Sequence, residues 1–215
     1  MTNDGDLKKS VLAELSWDPS VDAAHIGVTA HNGVVSLSGH VETYSEKYGA
    51  EKAAQRVKGV KAVAEEIEVQ LASTMKRNDE DIATAASNRI AWDGAVSRFG
   101  INVVVEKGWV KLSGQVEWQY QRYEAEQDVR DLLGVVGVSN MITIKPRVDT
   151  SHISEDIRHA LHRSWYDFDR IQVTSTNGTV KLTGTVDNWH DWQLASSTAW
   201  AAPGATAVDN QISII

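Results

Sequence analysis

The run Asn32-Gly33-Val34-Val35-Ser36-Leu37-Ser38-Gly39 returns as Lys107-Gly108-Trp109-Val110-Lys111-Leu112-Ser113-Gly114 and again as Asn177-Gly178-Thr179-Val180-Lys181-Leu182-Thr183-Gly184. The leading glycines stand 75 and 70 residues apart, so the chain is three copies of one unit. Its 215 residues divide into repeats at 1–71, 78–146 and 147–215. A unit of this size buries only about 60% of the surface its unfolded chain exposes, so contacts between copies are expected.

Each copy opens with apolar residues at helical spacing: Leu7, Val11, Leu15; Ile82, Ala86, Ile90; Ile153, Ile157, Leu161. They form one stripe on a helix, and acidic residues such as Asp79-Glu80-Asp81 and Glu155-Asp156 suit the helix N-terminus. The period then drops to two. Ile26, Val28, Ala30 precede Val35, Leu37, Val41; Ile101, Val103, Val105 precede Val110, Leu112, Val116; Ile171, Val173, Ser175 precede Val180, Leu182, Val186. This reads as a β-hairpin with one buried face, and the Asn-Gly tip suits a turn of positive φ. Gly33, Gly39, Gly108, Gly114, Gly178 and Gly184 are therefore structural turn residues. A phosphate cradle would feed a helix, whereas this loop feeds a strand.

A second, alanine-rich helix follows (Ala50, Ala54, Val57; Ala125, Val129, Leu132; Ala195, Ala199, Ala202), stopped at Gly59, Gly134 and Gly204. A last strand carries Val63, Ile67, Val69; Val138, Ile142, Ile144; and Val208, Ile212, Ile214. The expected fold class is α+β: three tandem α-β-β-α-β units, each a small three-stranded mixed sheet with two helices on one face. The other sheet face stays open for neighbours or a partner.

The residues in this order resemble the BON domain, named for osmotically inducible and nodulation proteins of bacteria: a helix, Gly-Val-Val-x-Leu-x-Gly-x-Val, an Ala-rich helix, then Gly-Val-x-x-Val-x-Asn-x-Ile. The closing Asn is Asn140 and Asn210, while the first copy has Glu65. The resemblance implies a stress-linked, non-catalytic binding role at phospholipid surfaces or membrane-associated partners. A self-associating scaffold and a transport accessory are the alternatives it leaves.

Charge and composition narrow the partners. The copies carry −4, −3 and −3, and Lys76 and Arg77 add +2 between the first two. No copy is basic, so the footprint for nucleic acid is missing. The absence of cysteine excludes disulfides, thiolate metal sites and a Cys nucleophile. No apolar run is long enough to span a bilayer and the first residues lack an export pattern, so a cytoplasmic location, peripheral to membrane at most, is expected.

The candidate binding residues are aromatics at the entry to the second helix: Tyr44 and Tyr48; Trp118, Tyr120 and Tyr123; Trp189 and Trp192. Trp and Tyr combine an apolar body with a polar tip, which suits lipid interfaces and protein contacts alike. Packing between units ranks first for them, then lipid contact, then a protein partner or homo-oligomer. Trp17-Asp18, Trp92-Asp93 and Trp165-Tyr166-Asp167 are expected to cover the end of the core. His152, His159 and His162 invite a metal reading, but no other copy repeats them, so they are read as solvated and no metal or cofactor is called for. Ser38 and Ser113 have no associated His, and Glu65-Glu66 lacks an apolar setting that would raise a pKa. The expectation is a protein that is not an enzyme.

Overall fold

The computed structural model describes residues 4–146, 152–163 and 170–215. The first copy runs α1 (Asp4–Trp17), β1 (Ile26–His31), β2 (Val34–Val41), α2 (Tyr44–Arg56), β3 (Ala62–Val69). The second runs α3 (Asp79–Trp92), β4 (Asn102–Glu106), β5 (Trp109–Val116), α4 (Gln119–Arg130), β6 (Gly137–Ile144). The third runs α5 (Ile153–His162), β7 (Ile171–Thr176), β8 (Thr179–Val186), α6 (Trp189–Trp200), β9 (Ala207–Ile214). Each sheet is three-stranded and mixed, with β2, β5 and β8 central, antiparallel to the preceding strand and parallel to the following one. The fold is the α+β arrangement that the change of period demanded.

Both helices of a copy cover one sheet face. Leu7, Val11 and Leu15 of α1 and Ala50, Ala53 and Ala54 of α2 join Val35, Leu37 and Ile67 in one buried cluster. The alanines let α2 approach the strands closely, as Ala125 and Ala195 do for α4 and α6. Positive φ at Asn32 and Gly33 (51° and 85°) turns the first hairpin, and the same pair of angles recurs at Lys107–Gly108 and Asn177–Gly178. Gly39 and Gly184 have φ of 120° and 130°, and a Cβ there would strike the carbonyls of His25 and Arg170.

Acidic residues of the first helix also tie down the hairpin tip. Asp79 accepts the Lys107 and Gly108 amides at 2.8 Å each, and Asp4 accepts the Asn32 amide at 2.9 Å. The sequence reading gave such acids to the helix dipole alone, because a tip some 28 residues away leaves no local pattern.

The copies meet head to tail. Tyr44, at the start of α2, packs on the second core; its equivalent Trp189, at the start of α6, packs on the first core. Near the other helix end, Arg130 of α4 reaches back over Tyr48 of the first copy, and the equivalent Trp200 of α6 reaches back onto the second core. Contacts thus pass from first to second, second to third and third to first copy. A head-to-tail contact that returns to its start closes the three copies into a ring.

Candidate functional site

The aromatic helix entries divide between interfaces and a groove. Tyr44 is half-buried at the first interface, accepts a hydrogen bond from the Val138 backbone, and has its phenol pKa raised chiefly by burial. Beside it, Ser45 Oγ donates to Asp131 Oδ1 at 2.8 Å. The Arg130 guanidinium lies 4.0 Å from the centre of the Tyr48 ring. Burial first, and then donation to the Tyr123 hydroxyl, push the Tyr48 phenol up to about 12. Trp189 meets Trp192 edge to face at 5.1 Å, and the Trp192 indole donates to the Ile212 carbonyl at 3.2 Å.

Trp118, Tyr120, Tyr123 and Trp192 come together with Trp200 along a mostly apolar groove of about 700 Å³ between α4 and α6. Among the described residues Lys52 of α2 is its one charged lining residue, and Gln119, Gln193, Ser196 and Ser197 complete the polar part. Trp200 was not among the sequence candidates, since it lies a full helix away from the entry motif. A second groove, about 870 Å³, runs between the end of α2 and the start of α6 and is lined by charges of both signs, including Arg56, Lys58, Asp187 and Asp191.

Trp118 occupies the N-cap of α4. In the other copies the N-cap oxygens of Thr43 and Asn188 accept the Glu46 and Asp191 amides at 3.1 and 2.9 Å. An indole has no acceptor to offer, so the second copy gives up a side-chain cap worth about 1 kcal/mol and gains a ring in the groove. Gln121 holds the entry instead: its Oε1 accepts the Glu117 and Trp118 amides at 3.0 Å each.

Trp17 and Trp92 overturn the expectation that they cover the core. They are 83% and 89% exposed at the C-terminal ends of α1 and α3. The helical stripe explains the difference: Leu15 and Ile90 are the last residues on the buried face, and two positions further on the side chain points away from it. Trp165-Tyr166-Asp167 lie outside the described residues. The neighbouring acids do have work. Asp18 receives Arg56 at 2.6 Å, and that guanidinium, with Ser20, holds its carboxyl down to about 2.

The open faces differ between copies. The second sheet shows Val104, Trp109 and Met141, 56%, 44% and 59% exposed. The Trp109 ring lies over Gly137, where a Cβ would stand 2.5 Å from it, and its indole donates to Ser139 Oγ at 2.8 Å. The outer face of the third sheet carries only polar or small residues, such as Gln172, Thr174, Lys181 and Gln211.

Glu65 does what the Asn of the other copies does. Asn140 and Asn210 each accept, through Oδ1, the amide two residues on, that of Ile142 at 3.2 Å and of Ile212 at 3.1 Å. Glu65 Oε1 accepts the Ile67 amide at 2.5 Å while its other oxygen pairs with Lys47 at 2.9 Å. Lys47, Arg122 and Trp192 share one position in the second helix, and each donates to a backbone carbonyl of the last strand: Ile67, Asn140 and Ile212.

His152 and His159 are 71% and 69% exposed and both face Glu155 at 3.8 Å. Among the described residues no group of three or more His, Cys, Asp or Glu side chains is placed to hold a metal ion. Among them, too, no helix is long and apolar enough to cross a membrane.

Repeated α-β-β-α-β units, closed on one another with aromatic surfaces between them, define a tandem α+β repeat protein. The chain belongs to the BON domain family, whose model matches residues 3–70, 78–146 and 149–215. It is 30% identical over 147 residues to osmotically-inducible protein Y of Escherichia coli (strain K12), an alignment spanning 66% of this chain and 73% of that protein. It also aligns with a solved structure of CdsD, a structural protein of the type III secretion system of Chlamydia trachomatis, at 19% identity, over 98% of this chain and 92% of that one. The TM-score of 0.27 is too low for that likeness to bear on the arrangement.

Proposed function

We propose that this is a non-catalytic, stress-associated binding protein that attaches peripherally to phospholipid surfaces through Trp17 and Trp92. The observation that carries the reading is that these rings, at equivalent positions of two copies, are 83% and 89% exposed. Indole is favoured where an apolar layer meets water, and an isolated ring this exposed makes little contribution to its own fold. The osmotically inducible relative supports the stress association. The net charge of −8 opposes anionic bilayers, so zwitterionic ones are the preferred surface and attachment is insensitive to salt.

Co-sedimentation with phosphatidylcholine vesicles tests this, with and without added phosphatidylglycerol. Each indole entering the interface contributes on the order of 1.5–3 kcal/mol, so Trp17→Ala with Trp92→Ala lowers partitioning at least about a hundredfold. A double variant that sediments like the parent, or a parent that binds no vesicle, defeats the proposal. A protein-contact reading is favoured by Val104, Trp109 and Met141, an apolar set found on the second sheet and absent from the outer face of the third.

A further inference from the structure

We propose that the free edge of β4 pairs with the same edge of a second molecule of this chain, antiparallel about a twofold axis at Val104, so that the two sheets join into one of six strands. The pairing rests on the protein-contact reading of Val104 and gives it a definite partner. It is measured without lipid, apart from vesicle attachment.

The backbone comes first. The strand order β4-β5-β6 leaves β4 paired on one side. Lys107 and Gly108, with φ of 51° and 77°, make a two-residue turn, so the flanking Glu106 and Trp109 form a hydrogen-bonded pair and the pairs alternate from there. Asn102, Val104 and Glu106 therefore bond inward to β5, while Val103 and Val105 turn their N–H and C=O groups away from it. Among the described residues no further hydrogen bond reaches those groups. An antiparallel partner that sets Val103 against Val105 satisfies all of them, with four bonds between the two molecules.

Side chains select this edge from the three. The equivalents of Val104, which is 56% exposed, are Thr29 in β1 and Thr174 in β7. Val28 and Val173 are 4% and 6% exposed, whereas their equivalent Val103 is only half-buried. The helix α3, which packs on β4, carries Ala86 where α1 and α5 carry Val11 and Ile157, and so offers the strand a smaller cover. Val103-Val104-Val105 is thus apolar on both faces, without the lysine, proline or bulge that blunts an open edge. Charge then favours the register. With Val104 opposite Val104, each Glu106 faces Asn102 of the other molecule, an amide able to donate to it. Centring on Val105 makes the two Glu106 carboxylates diagonal neighbours on one face, and centring on Val103 sets Val105 against Ile101, before the strand begins. The net charge of −8 is not concentrated here: the hairpin 102–116 holds one acid and two lysines, and Lys111 lies 3.1 Å from Glu106.

The test is sedimentation velocity of the full chain, free of lipid, over a range of concentrations. The mass rises toward that of two molecules and stops there, because the twofold contact uses the edge up. Val104→Lys sets two ammonium groups opposite each other at the axis and weakens association at least about tenfold; the side chain is exposed, so a thermal melt stays close to that of the parent. Val104→Thr, the residue of the other two copies, weakens it less. Val103→Pro removes an outward N–H and spares the ladder to β5, so with two of the four bonds gone association again falls about tenfold or more. Amide exchange followed by NMR slows at Val103 and Val105 as concentration rises and is unchanged at Val28 and Val173. A chain that stays monomeric up to about 1 mM overturns the inference. So do growth beyond two molecules, protection of the Val28 or Val173 amides instead, and a dimer indifferent to Val104→Lys. Trp109→Ala, on the same outer face but in β5, leaves the dimer intact. A dimer lost with Trp109→Ala and kept with Val104→Lys puts the contact on the sheet face, so failure of the edge pairing and failure of the face reading are told apart.

Discussion

Glu65 and Lys47 carry in the first copy a load that Asn140 and Arg122 carry in the second. A side-chain oxygen closes the amide two residues on, and a donor from the helix holds the strand carbonyl. The Lys47–Glu65 pair, 2.9 Å apart with both side chains about three-quarters buried, is accordingly a strut between α2 and β3. Glu65→Ala removes the acceptor and leaves Lys47 without its anion, so urea unfolding should show a loss of about 1–2 kcal/mol. Glu65→Asn, which installs the residue of the other copies, should recover part of it. The substitution at Glu65 was visible in the sequence as a break in the repeat, but its partner was not, because Lys47 lies 18 positions away and pairs only once α2 is laid across β3. Trp17 and Trp92 show the reverse: the repeat was legible, and their direction was misread because a helix end exposes whichever residue falls outside the buried stripe.

The elements themselves were legible. Periods of about four and two marked helices and strands in each described copy, and the Gly turns fixed the hairpins, since both depend on neighbours in sequence. Contacts between elements were not. Where α3 crosses α4, Arg89 reaches Asp128 at 3.4 Å, and Asp128 is raised to about 6 by burial first and by the charge of Asp93 second. In the first copy Ala53 takes its place, and Arg56 instead bridges Glu14 and Asp18. Because Asp128 holds its proton more tightly folded than unfolded, where it titrates near 3.8, stability falls as pH rises from about 4 to 6. Asp18, held down to about 2, acts in the opposite sense below that window, its contribution lost as pH falls from about 4 to 2. Asp128→Asn should remove the decline between pH 4 and 6, a gain of about 1 kcal/mol at pH 7 after solvent screening, measured by urea unfolding across pH.

At the scale of the whole molecule, function follows from how equivalent positions were allowed to differ. One helix position supplies Tyr44 to the first interface and Trp189 to the last; another supplies Arg130 over Tyr48 and Trp200 at the groove. The sequence listed most of these aromatics as candidates and could not sort them, because packing and recognition draw on the same side chains and only the closure of the ring decides which stay open. Trp118, Tyr120 and Tyr123 line the open groove between α4 and α6, whereas Tyr44 and Trp189 meet a neighbouring core. The interfaces and the grooves rest on that closure. Small-angle X-ray scattering of the full chain, extrapolated to infinite dilution, tests it most directly. Closure predicts a radius of gyration of about 17 Å for a compact 215-residue molecule, whereas three separate units strung on their linkers would give about 25 Å or more and contradict it.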